Sequence, residues 1–402
     1  MAPTTCLCIG FLLLLGHGSM AELQAERGLG LEPVAPSSSC EFTFDKLQPL
    51  EPLPKLKAEA GTVEHFNDTN HQLKCAGVFL IRVVVDNRGL LLPSFTNGGA
   101  LIFAIKGSGF VGVTFPGCPE TPYSHLKEGY VATVPAGDSV WIYNDGGKPL
   151  EMLVLFTTSG KANKLWPKNR DFILAGSSEN GRKNIFNGFT VDFLSESLGI
   201  SHFLTTKLQG PTDKRGPIVR VPAGLTPEQQ PWLPASNSVC GTKVTASLED
   251  PKPQGTTLLT AYDFPALKLV GLSIERGALK PNASHASPIY NSNAQIVLYV
   301  TGGSFRRLQV VDNRGVAVFD GVLRQGQPLV IPQYYVALAQ AGKDGAQYVV
   351  FKTDAYPVTH YIAGWGSVLR SFPVGVIAAA YNVSTTDALK IKNSGGWGTP
   401  EK

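Results

Sequence analysis

The chain has 402 residues, of which 43% are hydrophobic and 16% are charged, with a formal net charge of +4. This length accommodates two domains that each bury a core, and the apolar content excludes a disordered chain. The weak charge is scattered, without a basic run interleaved with aromatic residues, so we predict no nucleic-acid partner.

The N-terminus is typical of a secretory signal. Residues 6–15 form a short apolar core, and Ser19 and Ala21 supply small residues at the two positions read for cleavage. We predict cleavage after Ala21, so that residues 1–21 are a signal peptide and the protein enters the secretory pathway. No later run is apolar over the ~18 residues that a membrane helix needs, so we predict no membrane partner.

A flexible arm is predicted over 22–40, followed by a first β-rich module over 41–208. Short β-branched and aromatic runs alternate with Gly, Pro and Asn-Gly signals, which favours strands joined by tight turns. The predicted strands cover 78–86, 100–105, 110–115, 130–134, 140–143 and 152–156. A helical period follows over 185–198, and Gly199 is its predicted stop signal.

Proline and polar residues dominate 209–239, which we interpret as a linker. The second module spans 240–392 and is followed by a predicted flexible tail over 393–402. Its predicted strands cover 266–275, 295–300, 304–312, 316–321, 328–331, 335–341 and 348–352. Like the first module it ends in a helical pattern, here over 368–381.

Two pairs of segments are similar between the modules. Residues 82–89 are matched by 308–315, and residues 129–135 by 326–332. Two copies of one β-rich module predict a mainly β protein with two tandem barrels, each followed by a small helical extension.

The Gly-x5-Pro strand in each module is typical of a cupin barrel, so metal binding is the first chemistry to consider. A metallo-cupin holds its ion with closely spaced His residues, a Glu, and a third His after the Pro-containing strand. Residues 91–97 contain neither His nor Glu, and Val140 stands where the third His is expected. The corresponding stretch of the second module, 287–295, also lacks His. We predict no metal and no cofactor.

Candidate catalytic residues are scarce. His285 is the His nearest to the second site, and we interpret it as a solvated turn residue at a strand edge. There is no Gly-x-Ser-x-Gly elbow and no evident Ser, His and acid series. We therefore predict that the protein is not an enzyme.

Cleavage of the signal peptide would remove Cys6 and Cys8. The remaining four cysteines predict two disulfides in an oxidising compartment, with three possible connectivities, among Cys40, Cys75, Cys118 and Cys240. Three N-glycosylation sequons begin at Asn67, Asn282 and Asn382.

Several segments carry a family resemblance. The run Phe115-Pro-Gly-Cys-Pro-Glu-Thr121 is accompanied in order by 134–137, 141–146 and 184–189, and in the second module by 273–277, 330–333 and 351–353. In these segments the chain resembles the 11S globulins (legumin-type storage proteins), which are bicupins. The resemblance covers the chain from Cys40 to about Lys392. It implies two tandem cupin barrels of the double-stranded β-helix (jelly-roll) type.

The resemblance also implies covalent and quaternary structure. It implies the disulfides Cys40–Cys75 and Cys118–Cys240, the second of which ties the modules together. It implies a homotrimer that forms head to tail through the helices after each barrel. Legumins are cleaved after an Asn ahead of the second-module cysteine, and Asn237 is the candidate for an Asn-specific protease here, without the family's Gly and acidic residues. Processing would permit a hexamer.

The resulting functional hypothesis is a non-catalytic storage protein, a nutrient reservoir held in a protein storage vacuole, with an extracellular location as the alternative. The alternative function is a secreted, metal-free bicupin that binds a small apolar or sugar ligand in a barrel. The candidate lining residues for that ligand are Pro93, Phe95, Ile102, Val140 and Tyr143.

Overall fold

The structure is a computed structural model. It describes residues 40, 43–66, 70–115, 117–118, 123–158, 170–177, 183–223, 238–239, 242–285 and 287–395. The predicted signal peptide lies outside these residues. In the described ranges both modules are mainly β, and each is followed by short helices, as predicted.

The first barrel consists of two facing antiparallel sheets. Its strands are β1 Leu56–Ala58, β2 Gly61–His65, β3 Val78–Val85, β4 Gly89–Thr96, β5 Ala100–Lys106, β6 Ser108–Thr114, β7 Tyr123–Lys127, β8 Tyr130–Val134, β9 Ser139–Tyr143, β10 Leu150–Thr157, β11 Asp171–Ile173 and β12 Ile218–Arg220, followed by β13 Ser238–Val239, β14 Thr242–Lys243 and β15 Thr245–Ser247. One sheet has the order β1-β2-β3-β10-β5-β8-β15, and the other has β11-β4-β9-β6-β7 with β12 also paired to β4.

The second barrel repeats this arrangement with longer strands. Its strands are β16 Thr256–Leu259, β17 Ser273–Leu279, β18 Ile289–Asn291, β19 Ile296–Val311, β20 Ala317–Arg324, β21 Pro328–Ile331, β22 Val336–Lys352 and β23 Thr359–Tyr361. The single strand β19 pairs with β20, β21 and β22, and therefore takes the places of both β5 and β6.

Two predictions for the second module are wrong in detail. The pairs of strands expected over 295–312 and 335–352 are single strands, because Gly303 and Gly345 are accommodated as bulges within the ladder and do not end it. The strand expected from residue 266 begins only at Ser273. It is preceded by a helical turn, Leu267–Val270, whose buried leucine and valine face the core between the barrels.

The structure also corrects one of the two internal similarities. Segments 129–135 and 326–332 are equivalent, since β8 pairs with β5 as β21 pairs with β19. Segments 82–89 and 308–315 are not equivalent. The first joins β3 to β4, whereas the second joins β19 to β20, which occupies the position of β7. The predicted duplication is therefore correct, although half of its sequence evidence was coincidental.

The predicted linker and the start of the predicted second module contribute to the first barrel. Strand β12, within 209–239, pairs with residues 89–91 of β4. Strand β15 pairs with β8 and lies beyond the predicted start of the second module near residue 240. The chain thus remains part of the first barrel's sheet through Ser247.

A continuous apolar core joins the barrels. On β5, Ile102 points into the first barrel, whereas Leu101 and Phe103 point to the core that is shared with the second barrel. On β10, Val154 and Leu155 divide in the same way. Because alternate side chains of a strand face opposite sides, these strands are apolar throughout and have no solvent face.

The described helices all have eight residues or fewer, and no helix in the described ranges is long and apolar enough to cross a membrane. They are α1 His71–Ala76, a 3-10 helix Ile185–Gly188, α2 Val191–Leu198, α3 His202–Gln209, α4 Leu267–Val270, α5 Val368–Ser371, α6 Val374–Tyr381 and α7 Thr385–Lys392. Gly199 ends α2 in the left-handed conformation, with φ of 65°, as the sequence predicts.

Candidate functional site

The position of the third His of a metallo-cupin carries an apolar side chain in both barrels. Val140 lies opposite Ser94 in the ladder of β4 and β9. The structurally equivalent residue of the second barrel is Ala337, which lies opposite Ile289. Within the described residues, no three His, Cys, Asp or Glu side chains come together as a metal site. The residues at these positions do not fit a cupin metal centre.

The residues proposed to line the first barrel do not belong to one cluster. Ile102 belongs to the interior cluster, which Val140 also contacts. Tyr143 belongs to a separate cluster with Phe110 and Tyr123. Phe95 stacks on Phe172, with ring centroids 4.9 Å apart, and Pro93 lies two residues before it on β4.

A cavity of about 50 Å³ lies instead inside the second barrel. Most of its wall is apolar, contributed by β18, β19, β21 and β22. The apolar lining residues are Ile289, Ile296, Leu298, Phe305, Leu308, Ile331, Ala337, Leu338, Ala339 and Val350. The polar lining residues are Glu275, His285, Asn291, Tyr348 and Lys352.

A buried ion pair forms one side of this cavity. Lys352 Nζ lies 2.6 Å from Glu275 Oε2, and the Lys352 side chain is only 2% exposed. Lys352 also donates to Thr359 Oγ1 at 3.1 Å. The Thr359 hydroxyl in turn donates to Asn291 Oδ1 at 3.3 Å. Sequence reasoning missed this chain of polar groups because its members lie on four different strands and share no motif.

His285 lines the same cavity, which corrects its interpretation as a solvated turn residue. It is half-buried, and its Nε2 lies 3.2 Å from the hydroxyl of Tyr348. Burial lowers the pKa of His285 even though the nearby carboxylate of Glu275 opposes the shift. Burial also raises the pKa of Tyr348 well above its usual value. At neutral pH both side chains are therefore uncharged.

Of the four cysteines predicted to form disulfides, the structure describes Cys40, Cys75 and Cys118. Cys40 and Cys75 form a disulfide, the pairing that the family resemblance implies. Cys118 is also disulfide-bonded, and Cys240 lies outside the described residues. Asn237 likewise lies outside them, immediately before β13.

Two of the three sequons fall on described residues. Asn282 and Asn382 are both exposed, each in the left-handed conformation. Asn67 lies outside the described residues. Thus Asn282 and Asn382 are sterically accessible positions in the folded chain.

The helical extensions carry large exposed apolar side chains. In the first, Asn184 donates to the carbonyls of Leu208 and Gln209, and the Gln209 amide donates to those of Phe186 and Phe189. Hydrogen bonds from side-chain amides thus connect the start of this extension to its end. Its larger apolar residues remain at the surface, including Phe189, Phe193, Leu198, Phe203 and Leu204.

The second extension has a similar surface. Lys392 Nζ donates to the carbonyls of Arg370 and Phe372, which fastens α7 to the end of α5. Ile377 and Ala388 are fully buried. The exposed apolar residues are Trp365, Phe372, Val376, Tyr381 and Leu389.

Comparisons with known proteins agree with this architecture. The cupin family model matches residues 47–187 and 249–388. Glutelin type-B 4 of Oryza sativa subsp. japonica is 35% identical over 459 residues, covering 96% of this chain and 91% of the relative. The 12S seed storage globulin 2 of Avena sativa is 34% identical over 475 residues, with the same coverage.

The chain belongs to the 11S globulins, the seed storage proteins of the cupin family. Among solved structures, the coconut allergen cocosin is 37% identical to this globulin, with a TM-score of 0.81 over 87% of this chain and 97% of that one. The resemblance and the two-barrel fold predicted from sequence are confirmed.

Proposed function

We propose that this globulin is a non-catalytic nutrient reservoir, held in a protein storage vacuole and degraded when its amino acids are required. The observation that carries the proposal is its similarity to storage globulins along 96% of its length. The apolar residues Val140 and Ala337 at the cupin ligand positions are consistent with a role that needs no metal chemistry.

Protein abundance over time tests the storage role. A quantitative gel of the source tissue through maturation and germination should show strong accumulation followed by disappearance. A scarce protein at constant level would contradict the proposal. Fractionation of the same tissue separates a vacuolar location from the extracellular alternative.

The exposed apolar surfaces support a homotrimer. A monomer would leave Phe193 and Phe203 at 64% and 68% exposure, in addition to the exposed apolar residues of the other extension. Groups of exposed apolar side chains are typical of protein interaction sites. The two surfaces lie on different modules, so contact between one extension and a neighbour's other extension is heterologous. Heterologous contacts that close generate a ring.

Light scattering tests this assembly. The wild-type protein should have about three times the subunit mass, and the double variant Phe193→Ser/Phe203→Ser should have a smaller mass. Tyr262→Ser is the matched control, because Tyr262 is an equally large ring, 83% exposed, outside both extensions. A trimeric double variant, or an equal effect of the control, would contradict the assembly through these helices.

Processing at Asn237 and a Cys118–Cys240 bond are also proposed. Treatment of the protein with an Asn-specific protease should give two chains that separate on a gel only after reduction. The Asn237→Gln variant should remain one chain. Processed protein should also reach the mass of a hexamer if cleavage permits two trimers to associate.

Glycosylation is proposed at Asn67, Asn282 and Asn382. Exposure of Asn282 and Asn382 supports the two described sites. Enzymatic removal of N-glycans should reduce the mass of the purified protein, and Asn→Gln variants should assign the loss to single sites.

A further inference from the structure

The cavity of the second barrel contains a polar group that the protein itself leaves unsatisfied. Asn291 is 1% exposed, and its Nδ2 has no hydrogen-bond partner within the described residues. The Thr359 hydroxyl accepts a bond from Lys352 and donates its own proton to Asn291 Oδ1. With this assignment Asn291 Nδ2 carries two N–H groups that no described residue accepts, and Asn291 lines the cavity.

A second donor faces the same space. The Lys352 ammonium has three N–H groups, of which two go to Glu275 and Thr359. A buried donor without an acceptor is costly, and native proteins satisfy such groups with water or a ligand. The cavity therefore favours an occupant with an acceptor oxygen that Asn291 and Lys352 can share.

The backbone holds Asn291 in this position through a residue in a strained conformation. The N–H of Tyr334 donates to the Asn291 carbonyl at 2.8 Å, and Tyr334 has φ of 67°. In the first barrel the equivalent bond runs from Gly137 to Thr96, and glycine adopts this conformation without strain. In the second barrel, the hydrogen bond that positions Asn291 is therefore made by Tyr334, whose left-handed backbone conformation is unfavourable for a non-glycine residue.

The charges around the cavity are balanced. The carboxylate of Glu275 neutralises the ammonium of Lys352, and His285 and Tyr348 are uncharged. An anion bound to Lys352 would lie close to Glu275 and would add an unpaired charge to an apolar-walled space. An uncharged occupant avoids both penalties, and a donor on it can bond to the Glu275 carboxylate.

The volume limits the size of the occupant. An apolar cavity of about 150 Å³ accommodates benzene, and a water requires roughly 10–15 Å³. The cavity here, at about 50 Å³, therefore holds a few waters or a molecule with a handful of non-hydrogen atoms.

We propose that the second barrel binds a small uncharged molecule with a carbonyl-type acceptor and an N–H donor, the chemistry of urea and of short primary amides. Asn291 and Lys352 donate to its oxygen, Glu275 accepts from its N–H, and the apolar wall contacts its remaining atoms. This site is independent of the storage role.

Acetamide and acetate are suitable probes because they have nearly the same shape and differ in charge. Binding of each to the full-length protein is measured by ligand-observed NMR titration, and the bound position is determined from crystals soaked in acetamide. Wild-type protein should bind acetamide at least 10-fold more tightly than acetate, with density for acetamide beside Asn291.

Three variants locate the binding. Asn291→Leu keeps the size of the side chain and removes the donor, and it should weaken acetamide binding at least 10-fold. Ala337→Val fills the cavity with the residue that the first barrel carries at the equivalent position, Val140, so the fold should tolerate it while binding is lost. Ser292→Ala, next to Asn291 but outside the cavity lining, should leave the affinity unchanged.

Three results would overturn the proposal. Acetate binding as tightly as acetamide would mean that the site selects anions. Ordered water alone in the soaked crystals would mean that the cavity is a hydration site. Acetamide binding unaffected by Ala337→Val would mean that the amide binds elsewhere.

Discussion

Removing one member of the buried ion pair between Lys352 and Glu275 should destabilise the second barrel strongly, whereas removing both members should destabilise it only slightly. At 2.6 Å, opposite unit charges attract by on the order of 6 kcal/mol at an effective dielectric constant of ~20, and the loss of hydration offsets much of this attraction. Lys352→Met keeps the length of the side chain but leaves the Glu275 carboxylate buried without its cation. We expect this variant to lose about 3–5 kcal/mol of the free energy of unfolding.

Two further variants complete a double-mutant cycle and include one in which the charges balance again. Glu275→Gln alone should destabilise by a similar amount, because it leaves the Lys352 ammonium unpaired. In the double variant both charges are gone, and the loss relative to wild type should be within about 1–2 kcal/mol. The difference between the sum of the single losses and the double loss measures the coupling of the two charges.

The assay is thermal denaturation followed by circular dichroism, at one protein concentration because assembly contributes to stability. Arg307 and Asp320 form the matched control. Their ion pair, at 2.8 Å, lies on the same barrel, but the side chains are 58% and 40% exposed. Arg307→Met should cost less than about 1 kcal/mol. If Lys352→Met costs no more than this control, the pair is hydrated and the reasoning is refuted.

Three further predictions concern other parts of the fold. Replacing both Cys40 and Cys75 by Ser opens a loop with a sequence separation of 35 and should cost about 4 kcal/mol by the chain-entropy estimate. An unchanged melting temperature would contradict this prediction. Tyr334→Gly removes the strain of a non-glycine residue in the left-handed conformation, so the melting temperature should be unchanged or slightly higher. Gly137→Ala introduces that strain at the equivalent position of the first barrel and should lower the melting temperature by several degrees. The reverse order of melting temperatures would count against the proposed strain. Burial raises the pKa of Asp138 to about 6, so the folded state binds the proton more tightly than the unfolded state, and stability should fall as pH rises from about 4 to 6. Melting curves of Asp138→Asn should lack that decline, and parallel pH profiles would refute the assignment.

Much of the fold could be predicted because its local signals are strong. The strand at 130–134 was predicted with its observed bounds, since Gly129 and the proline after Val134 mark both ends. Gly199 was identified as a helix stop because glycine adopts the left-handed conformation that ends α2. Strand β4 was missed, since Pro93 interrupts a run that otherwise resembles a strand.

The candidate site could not be predicted in the same way. Its polar residues were found neither by motif nor by spacing, because Glu275, Asn291, Lys352 and Thr359 meet only when four strands of the second barrel pair. His285 was interpreted as a solvated turn residue because it is a lone His at a strand edge. Its imidazole instead contacts Tyr348, which is 63 residues away along the chain.

The sequence by itself determined the duplicated β-rich architecture, the helical extensions and the family, because strand periodicity, turn residues and family segments are encoded over short stretches. It also determined that the expected ligand segments of both modules lack the His residues of a metallo-cupin. Tertiary structure alone decided which similar segments are equivalent, since 308–315 resembles 82–89 in composition but occupies another place in the sheet order. It also decided where charge is buried, because burial and partners depend on residues that are distant in sequence and become neighbours only through strand pairing.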